Sequence, residues 1–205
     1  MITLICLLFP LLNSCFGLNM DITLNKNGSG ILSLEYRISK LLDSLGKLEG
    51  NERWNTIPAG KADFERTLSR LPGLKMLSFS SREDQKDVII SSKIEFGSIK
   101  ALMAFVDASG GRSSLQGDPG SGSLRLTLSE GAADGNPALL QLIKEISTSY
   151  SVDLSMSLQS EGSLDIVDNS GIPLEQQKRG KKLSCSFPLY TVLSSQNGIN
   201  AVFRW

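Results

Sequence analysis

The sequence predicts an α+β fold, with a largely antiparallel sheet built from hairpins and amphipathic helices packed on one face. Three observations lead to this prediction. Apolar and polar residues alternate over several short segments, turn-forming residues separate many of these segments, and stretches with helical spacing of apolar residues lie between them. The 205 residues, of which 40% are hydrophobic, are enough for a single domain with one core.

Two hairpins are predicted in the first half of the chain. The segments Met20–Leu24 and Leu32–Ile38 both alternate, and the turn-forming run Asn25–Gly30 separates them. The segments Leu74–Ser81 and Val88–Phe96 form a similar pair around a charged turn. Because helical segments return between the hairpins, the strands are expected to form one sheet with the helices on one of its faces.

Four segments have the apolar spacing of amphipathic helices. Ser39 can cap the first, and Pro72 with Gly73 ends the second. Asn136 followed by Pro137 begins the fourth, which has the clearest pattern. The apolar positions of the four segments are Leu41, Leu42, Leu45 and Leu48; Phe64, Leu68 and Leu71; Ile99, Leu102, Met103 and Val106; and Leu139, Leu142, Ile143, Ile146 and Tyr150.

The second half of the chain is predicted to consist mainly of strands. Ala108–Gly122 contains five glycines and a proline, so we expect a mobile surface loop there. The last strand ends the chain within an apolar pattern, so we expect it to pair centrally in the sheet. The alternating segments are Leu124–Leu128, Val152–Leu158, Leu164–Ile166, Leu183–Phe187 and Ile199–Trp205.

The N-terminal segment has the pattern of a secretion signal. Ile2–Leu12 is almost wholly apolar and is followed by the small polar residues Asn13 and Ser14. Eleven helical residues span only about 17 Å, whereas the hydrocarbon layer is about 30 Å thick, so a permanent transmembrane helix is the weaker interpretation. The predicted organisation is a signal peptide at 1–14, a lipidated N-terminus with a short tether at 15–19, and one α+β domain at 20–205.

Leu12–Cys15 resembles a bacterial lipobox, in the looser form found in spirochaetes because Asn13 departs from the commonest pattern. The resemblance implies that the signal is cut before Cys15 and that this cysteine carries acyl chains, which anchor the protein to the inner or outer membrane, facing the periplasm or the surface. No basic residues precede the apolar run, so either the true start lies upstream or the signal is atypical. Two alternatives stay open: an ordinary secretory signal with Cys15 as a free thiol, and a buried apolar N-terminal strand.

The short tether predicts that the domain lies close to the membrane. Only four residues separate Cys15 from Met20, and they extend at most about 14 Å. We therefore expect the domain almost on the lipid headgroups, a position that favours uptake or recognition of an amphiphile from the bilayer.

The composition argues against most catalytic and nucleic-acid-binding functions. The chain has no histidine, and its 21 basic and 21 acidic residues balance. Histidine-dependent triads and zinc sites are thereby excluded, and a broad basic surface for nucleic acid is not expected. Asp165, Asp168 and Asn169 lack the ligand spacing of a calcium loop and are predicted to form a turn. We predict no catalytic residue, no metal and no cofactor.

One basic cluster is the candidate for contact with anionic headgroups. It is predicted at a hairpin tip around Gly180, where a solvated turn is the alternative interpretation. Its members are Lys178, Arg179, Lys181 and Lys182. Nearby, Cys185 lies on the apolar side of an alternating segment, and we expect a small buried side chain rather than a nucleophile.

The mature chain also resembles the LppM-type envelope lipoproteins. The segment Met20–Gly30, just after the lipobox, is similar to the start of that group, and the end, with Pro188, Leu189 and then Val202–Trp205, is similar to its terminal strand. The resemblance implies an envelope-facing α+β domain that binds lipid or glycolipid. The sequence therefore predicts a non-enzymatic, membrane-anchored lipoprotein with a pocket between sheet and helices. The alternative is a structural or protein-interaction lipoprotein of the envelope; an apolar cavity would favour the first and a filled core the second. A hydrolase would need an activated serine or carboxylate, for which the sequence gives no support.

Overall fold

The computed structural model describes residues 16–40, 60–109, 111–118, 120–130, 141, 144–145, 147 and 149–205. These residues form nine strands and three helices. The strands are β1 (Phe16–Leu24), β2 (Gly30–Ser39), β3 (Leu74–Glu83), β4 (Asp87–Phe96), β5 (Arg112–Asp118), β6 (Ser121–Ser129), β7 (Ser151–Val167), β8 (Pro173–Pro188) and β9 (Ile199–Arg204). The helices are α1 (Lys61–Ser69), α2 (Ile99–Ala108) and α3 (Leu189–Ser194).

The nine strands form one sheet in the order β3-β4-β2-β1-β7-β9-β6-β5, and β8 pairs with β7. Every pairing is antiparallel except that of β1 with β7. The long strand β7 joins two parts of the sheet, because its first half pairs with β1 and its second half with β9. The predicted α+β class with a largely antiparallel sheet is confirmed.

The alternation of side chains gives the sheet one apolar and one polar face. In β1, Met20, Ile22 and Leu24 are buried. Between them, Asp21 accepts a hydrogen bond from the Ser155 hydroxyl of β7, on the opposite face. Since successive strand residues point to opposite sides, this pattern places the core on one face of β1, whereas β9 is buried on both faces from Ile199 to Phe203.

The helices cover the apolar face. Phe64 of α1 is fully buried, and its ring lies 6.3 Å from that of Tyr36 in β2, 5.5 Å from Phe79 in β3 and 6.4 Å from Phe105 in α2, measured between ring centroids. Ser98 caps α2 by accepting a hydrogen bond from the backbone N–H of Ala101 at 3.2 Å. Aromatic packing of this kind attaches both helices to the same part of the sheet.

Both predicted hairpins of the first half are present, with the predicted turn chemistry. In the first, Gly28 has φ of 81° and donates its N–H to the Asn25 carbonyl oxygen at 3.0 Å. Glycine adopts this left-handed conformation without steric cost, which explains the glycine-rich run between the strands. The last strand is central, as predicted, because β9 pairs with both β6 and β7.

The loop predicted for Ala108–Gly122 is wrong over most of its length. Residues 112–118 form β5, which pairs with β6 in a hairpin that turns between Asp118 and Ser121. β5 is at the end of the strand order, and most of its side chains are exposed. An edge strand held by backbone hydrogen bonds needs no continuous apolar face, so it leaves no alternating pattern in the sequence.

Two other boundaries differ from the prediction. β1 begins at Phe16 rather than at Met20, so the segment expected as a tether already pairs with β2 and β7. The single strand β7 covers the two segments predicted separately at Val152–Leu158 and Leu164–Ile166. The signal peptide, Cys15, the helix predicted after Ser39 and most of the helix predicted for Pro137–Tyr150 lie outside the described residues. Among the described helices, none is long and apolar enough to cross a membrane.

Candidate ligand cavity

An apolar cavity of about 300 Å³ lies between the sheet and the helices. The sheet contributes side chains from strands that are distant in the strand order, which shows that the sheet curls around the cavity. These side chains include Leu18 and Met20 of β1, Leu34 of β2, Leu126 of β6, and Val152 and Leu154 of β7. The helices contribute Phe64 of α1, Phe105 and Val106 of α2, and Leu189, Val192 and Leu193 of α3.

The cavity lies beside the start of β1. Leu18 pairs with Tyr36 on one side and with Val152 on the other, and all three side chains line the cavity. Leu18 is three residues after Cys15, a distance of at most about 11 Å. Any group attached to Cys15 therefore begins close to the cavity.

Two of the hydroxyl groups in the lining have no hydrogen-bond partner among the described residues. Tyr36, on the buried face of β2, is 3% exposed, and its Oη has no hydrogen-bond partner among the described residues. Ser109 follows α2, and its buried Oγ also lacks a partner within the described part of the chain. Buried polar groups are nearly always hydrogen-bonded, so two unpaired hydroxyls in one cavity need an explanation.

Burial raises the pKa of the Tyr36 hydroxyl well above its ordinary value, and the negative charge of Asp63 raises it further. The hydroxyl consequently keeps its proton over the physiological range and can act as a hydrogen-bond donor. Asp63 lies on α1, where it accepts hydrogen bonds from the Gly60 N–H at 3.2 Å and from the guanidinium of Arg66.

The other polar side chains at the cavity have partners. Arg112 of β5 forms an ion pair with Glu130, with 2.7 Å between Nη1 and Oε1. Thr127 of β6 donates its hydroxyl proton to Asn200 Oδ1 at 2.9 Å. Tyr36 and Ser109 are thus the lining residues whose hydroxyl groups have no hydrogen-bond partner within the described part of the chain.

The sequence did not single out Tyr36, Ser109 or Arg112 as site residues. Tyr36 could have been noticed, because it occupies the buried side of an alternating strand where a hydroxyl needs a partner. Ser109 and Arg112 could not, since they belong to the segment that was predicted to be a loop.

Asp165, Asp168 and Asn169 take part in structural contacts at the end of β7. Asp168 accepts a hydrogen bond from the Ile172 N–H at 2.8 Å, which closes the β7–β8 turn. Asn169 accepts a hydrogen bond from Asn200 Nδ2 at 2.9 Å, and Asp165 pairs with Arg204. The turn predicted for Asp168 and Asn169 is confirmed, whereas Asp165 lies within the strand.

The basic cluster is not at a hairpin tip, contrary to the prediction. Its members, Lys178, Arg179, Lys181 and Lys182, lie within β8, and the hairpin turns at residues 168–172 instead. Gly180 pairs with Gly162, where the register of β7 and β8 shifts. On its other side Gly162 faces β9: a Cβ there would lie 2.2 Å from the Arg204 carbonyl oxygen, so this glycine allows β7 and β9 to approach closely. A glycine at an irregular strand pairing cannot be told from a glycine at a turn by sequence alone, which is why Gly180 was predicted to lie at a hairpin tip.

Part of the positive charge of this cluster is compensated locally. Lys178 Nζ lies 3.6 Å from Glu175 Oε2 and donates a hydrogen bond to the Ser184 carbonyl oxygen at 3.1 Å. Lys182 Nζ lies 4.0 Å from Asp21 Oδ2. Headgroup contact by the cluster stays a prediction.

Cys185 is a free, buried thiol on the apolar face of β8, as expected. Burial is the main cause that raises the pKa of this thiol to about 11. A thiol with such a pKa stays protonated at neutral pH and is a poor nucleophile.

No known protein family and no curated protein matches this sequence. Among solved structures, the chain is similar to the folded domain of the Mycobacterium tuberculosis LppM protein, determined by NMR. The similarity covers 93% of this chain and 90% of that chain, at 14% sequence identity and a TM-score of 0.42. Similarity at this level identifies neither a family nor a function, and it gives no support for a spirochaete-like origin.

Proposed function

We propose that the protein is a membrane-anchored lipoprotein of the cell envelope that holds the acyl part of a lipid or glycolipid in the cavity between sheet and helices. The observation that carries the proposal is the position of the cavity. Its lining begins at Leu18, three residues after the cysteine of the lipobox-like segment.

The size and lining of the cavity suit an acyl chain. A volume of about 300 Å³ is at the lower end of the roughly 300–1,000 Å³ usual for ligand sites. Apolar side chains form most of the wall, so water gains few hydrogen bonds inside. Each methylene group buried there would contribute about 0.8 kcal/mol before the costs of binding.

The start of β1 supports a location at the bilayer surface. Because β1 begins at Phe16, a lipid on Cys15 would be attached directly to the sheet, without a spacer. The cavity would then lie within about 11 Å of the attachment point, a distance that a lipid leaving the bilayer can cover without crossing water.

The basic cluster lies away from this end of the sheet. Lys182 of β8 pairs with Ser157 of β7, and Ser157 in turn pairs with Thr23 of β1. Thr23 is seven residues, or about 23 Å, along β1 from Phe16. Headgroup contact by Lys178, Arg179, Lys181 and Lys182 therefore requires the sheet to lie along the membrane rather than to stand on its Phe16 end.

A structural or protein-interaction lipoprotein is the second candidate. Two large apolar side chains, Ile172 and Leu174, are exposed at the β7–β8 turn, at 61% and 49%. They offer a small apolar contact beside β8, which pairs with β7 at the margin of the described sheet.

Metabolic labelling tests the anchor. The full-length chain, expressed in a bacterium that processes lipoproteins and grown with radiolabelled palmitate, is expected to incorporate label and to enter the membrane fraction. Cys15→Ser should abolish incorporation of label, and Cys185→Ala, which removes the buried thiol of β8, should not change it. Incorporation of label by the Cys15→Ser chain would contradict the proposed anchor.

A cavity-filling substitution tests the ligand site. Val192 of α3 lines the cavity and is 4% exposed, so Val192→Phe should occupy part of its volume. Co-purified lipid, detected by native mass spectrometry, is expected to fall at least several-fold. Val88→Phe on β4 adds the same group at a half-buried position outside the cavity and should leave the lipid content unchanged. Equal lipid content in all three proteins would contradict binding in this cavity.

A further inference from the structure

The unpaired Tyr36 hydroxyl indicates which part of a ligand enters the cavity. Tyr36 lines the cavity, its side chain is 3% exposed, and its Oη lacks a hydrogen-bond partner among the described residues. A purely hydrocarbon ligand would leave this donor unpaired. A ligand with an oxygen atom at this depth would pair it and recover the desolvation cost that the empty protein already bears.

The charge near Tyr36 selects a neutral oxygen. The negative charge of Asp63 raises the pKa of Tyr36, so a second negative charge at the hydroxyl would be disfavoured in the same way. Burial of a carboxylate among apolar side chains adds a large desolvation cost. Arg112, the cationic side chain that lines the cavity, is already paired with Glu130. A carbonyl oxygen of an ester or amide avoids both costs.

We propose that the cavity takes the acyl chain of a neutral ester or amide whose carbonyl oxygen accepts a hydrogen bond from Tyr36 Oη, an inference that rests on the proposed function. The unpaired Ser109 Oγ, at the end of α2, is a second unpaired hydroxyl in the lining of the same cavity. The ligand is thus an acylated lipid in its esterified or amide form rather than a free fatty acid.

Three radiolabelled probes in equilibrium partition experiments test this inference: methyl decanoate, sodium decanoate and undecane. The protein is the full-length chain with Cys15→Ser, so that an attached lipid does not compete. At pH 7 we expect methyl decanoate to bind more tightly than decanoate or undecane. Tyr36→Phe should weaken binding of the ester about tenfold, the effect of one neutral hydrogen bond, and alter binding of undecane less than about twofold.

Tyr150→Phe is the matched control. It also removes a tyrosine hydroxyl, but that hydroxyl binds Asp87 Oδ1 at 2.8 Å and lies outside the cavity. Binding of all three probes should change less than about twofold in this variant.

The outcomes separate this inference from the proposed function. Failure of the starting chain to bind any probe would overturn the proposed function itself. Binding of the ester with unchanged affinity in Tyr36→Phe, or an equal loss for ester and undecane, would overturn the hydrogen bond alone. Tighter binding of decanoate than of its ester would overturn the neutral class of ligand.

The same chemistry could come from a bilayer lipid or from ester groups attached to Cys15, which starts at most about 11 Å from Leu18. Methyl decanoate binding to the lipidated full-length chain distinguishes these sources. Undiminished binding indicates a cavity open to bilayer lipids, and binding that is restored only by Cys15→Ser indicates occupation by the protein's own acyl group.

Discussion

The Tyr36 hydroxyl should destabilise the ligand-free protein, so its removal should stabilise the fold. In the structure, Tyr36 is 3% exposed and its Oη has no hydrogen-bond partner among the described residues. Burial of an unpaired hydroxyl costs about 1–3 kcal/mol in mutational data. Because phenylalanine keeps the ring contact with Phe64, at 6.3 Å between centroids, Tyr36→Phe should increase the free energy of unfolding by about 1 kcal/mol or more.

Tyr150→Phe should have the opposite sign. This substitution removes the hydrogen bond from Tyr150 Oη to Asp87 Oδ1 at 2.8 Å, and Asp87 is 8% exposed. A hydrogen bond to a buried carboxyl group is worth about 1.5–3 kcal/mol, so the free energy of unfolding should fall by a similar amount.

Urea denaturation of the lipid-free Cys15→Ser chain, followed by circular dichroism, measures both changes. In thermal denaturation of the same chain, a change of 1 kcal/mol in the free energy of unfolding should move the melting temperature by about 2–4 °C in a domain of this size. Loss of stability in Tyr36→Phe by more than about 1 kcal/mol would refute the reasoning, because it would show that the hydroxyl is paired in the free protein.

Three further predictions concern the core and the sheet. Burial raises the pKa of Cys185 to about 11 from an ordinary value of 9.0, so as the pH rises the thiol ionises in the unfolded chain before it ionises in the folded protein. The free energy of unfolding should therefore fall as the pH rises from about 9 to about 11. Cys185→Ala should reduce that fall in urea titrations at several pH values, and an unchanged dependence on pH would contradict the prediction. Phe64→Ala should lower the free energy of unfolding by about 3–5 kcal/mol, measured by calorimetry or denaturation, because Phe64 is fully buried against three aromatic rings. A decrease below about 1 kcal/mol would show that the packing of α1 does not depend on these contacts. Gly162→Ala should lower stability by at least about 1 kcal/mol, since its Cβ would lie 2.2 Å from the Arg204 carbonyl oxygen, whereas Gly120→Ala, with open space around it, should have little effect.

The strands with an apolar face were predictable from local pattern. β1 and β2 bury every second side chain over most of their length, β4 does so from Ile90 to Phe96, and β6 buries Leu124 and Leu126, so these sequences alternate with a period of two. The turns beside β1 and β3 contain the expected polar and glycine residues. Helices α1 and α2 were also predictable from local pattern, because buried residues such as Phe64, Leu102 and Val106 recur at helical spacing.

The edge strands were not predictable in this way. β5 buries little, and the first half of β8 exposes most of its described side chains, so neither has an apolar pattern. Their strand structure comes from backbone hydrogen bonds to β6 and β7, partners that are chosen by the tertiary fold. The basic cluster was misplaced for this reason, because its glycine was interpreted as a turn rather than as part of an irregular strand pairing.

By itself, the sequence determined the α+β class, the faces of most strands, the burial of Cys185, the absence of histidine and the presence of a lipobox-like segment near the N-terminus. These properties depend on composition and on neighbours within a few residues. The tertiary structure decided that the sheet curls and that Tyr36, Ser109 and Leu126 line one cavity near the start of β1. No local pattern could show this, because a cavity is the volume that side chains from distant strands and helices leave unfilled, and an unpaired hydroxyl is recognised only when all of its neighbours are known.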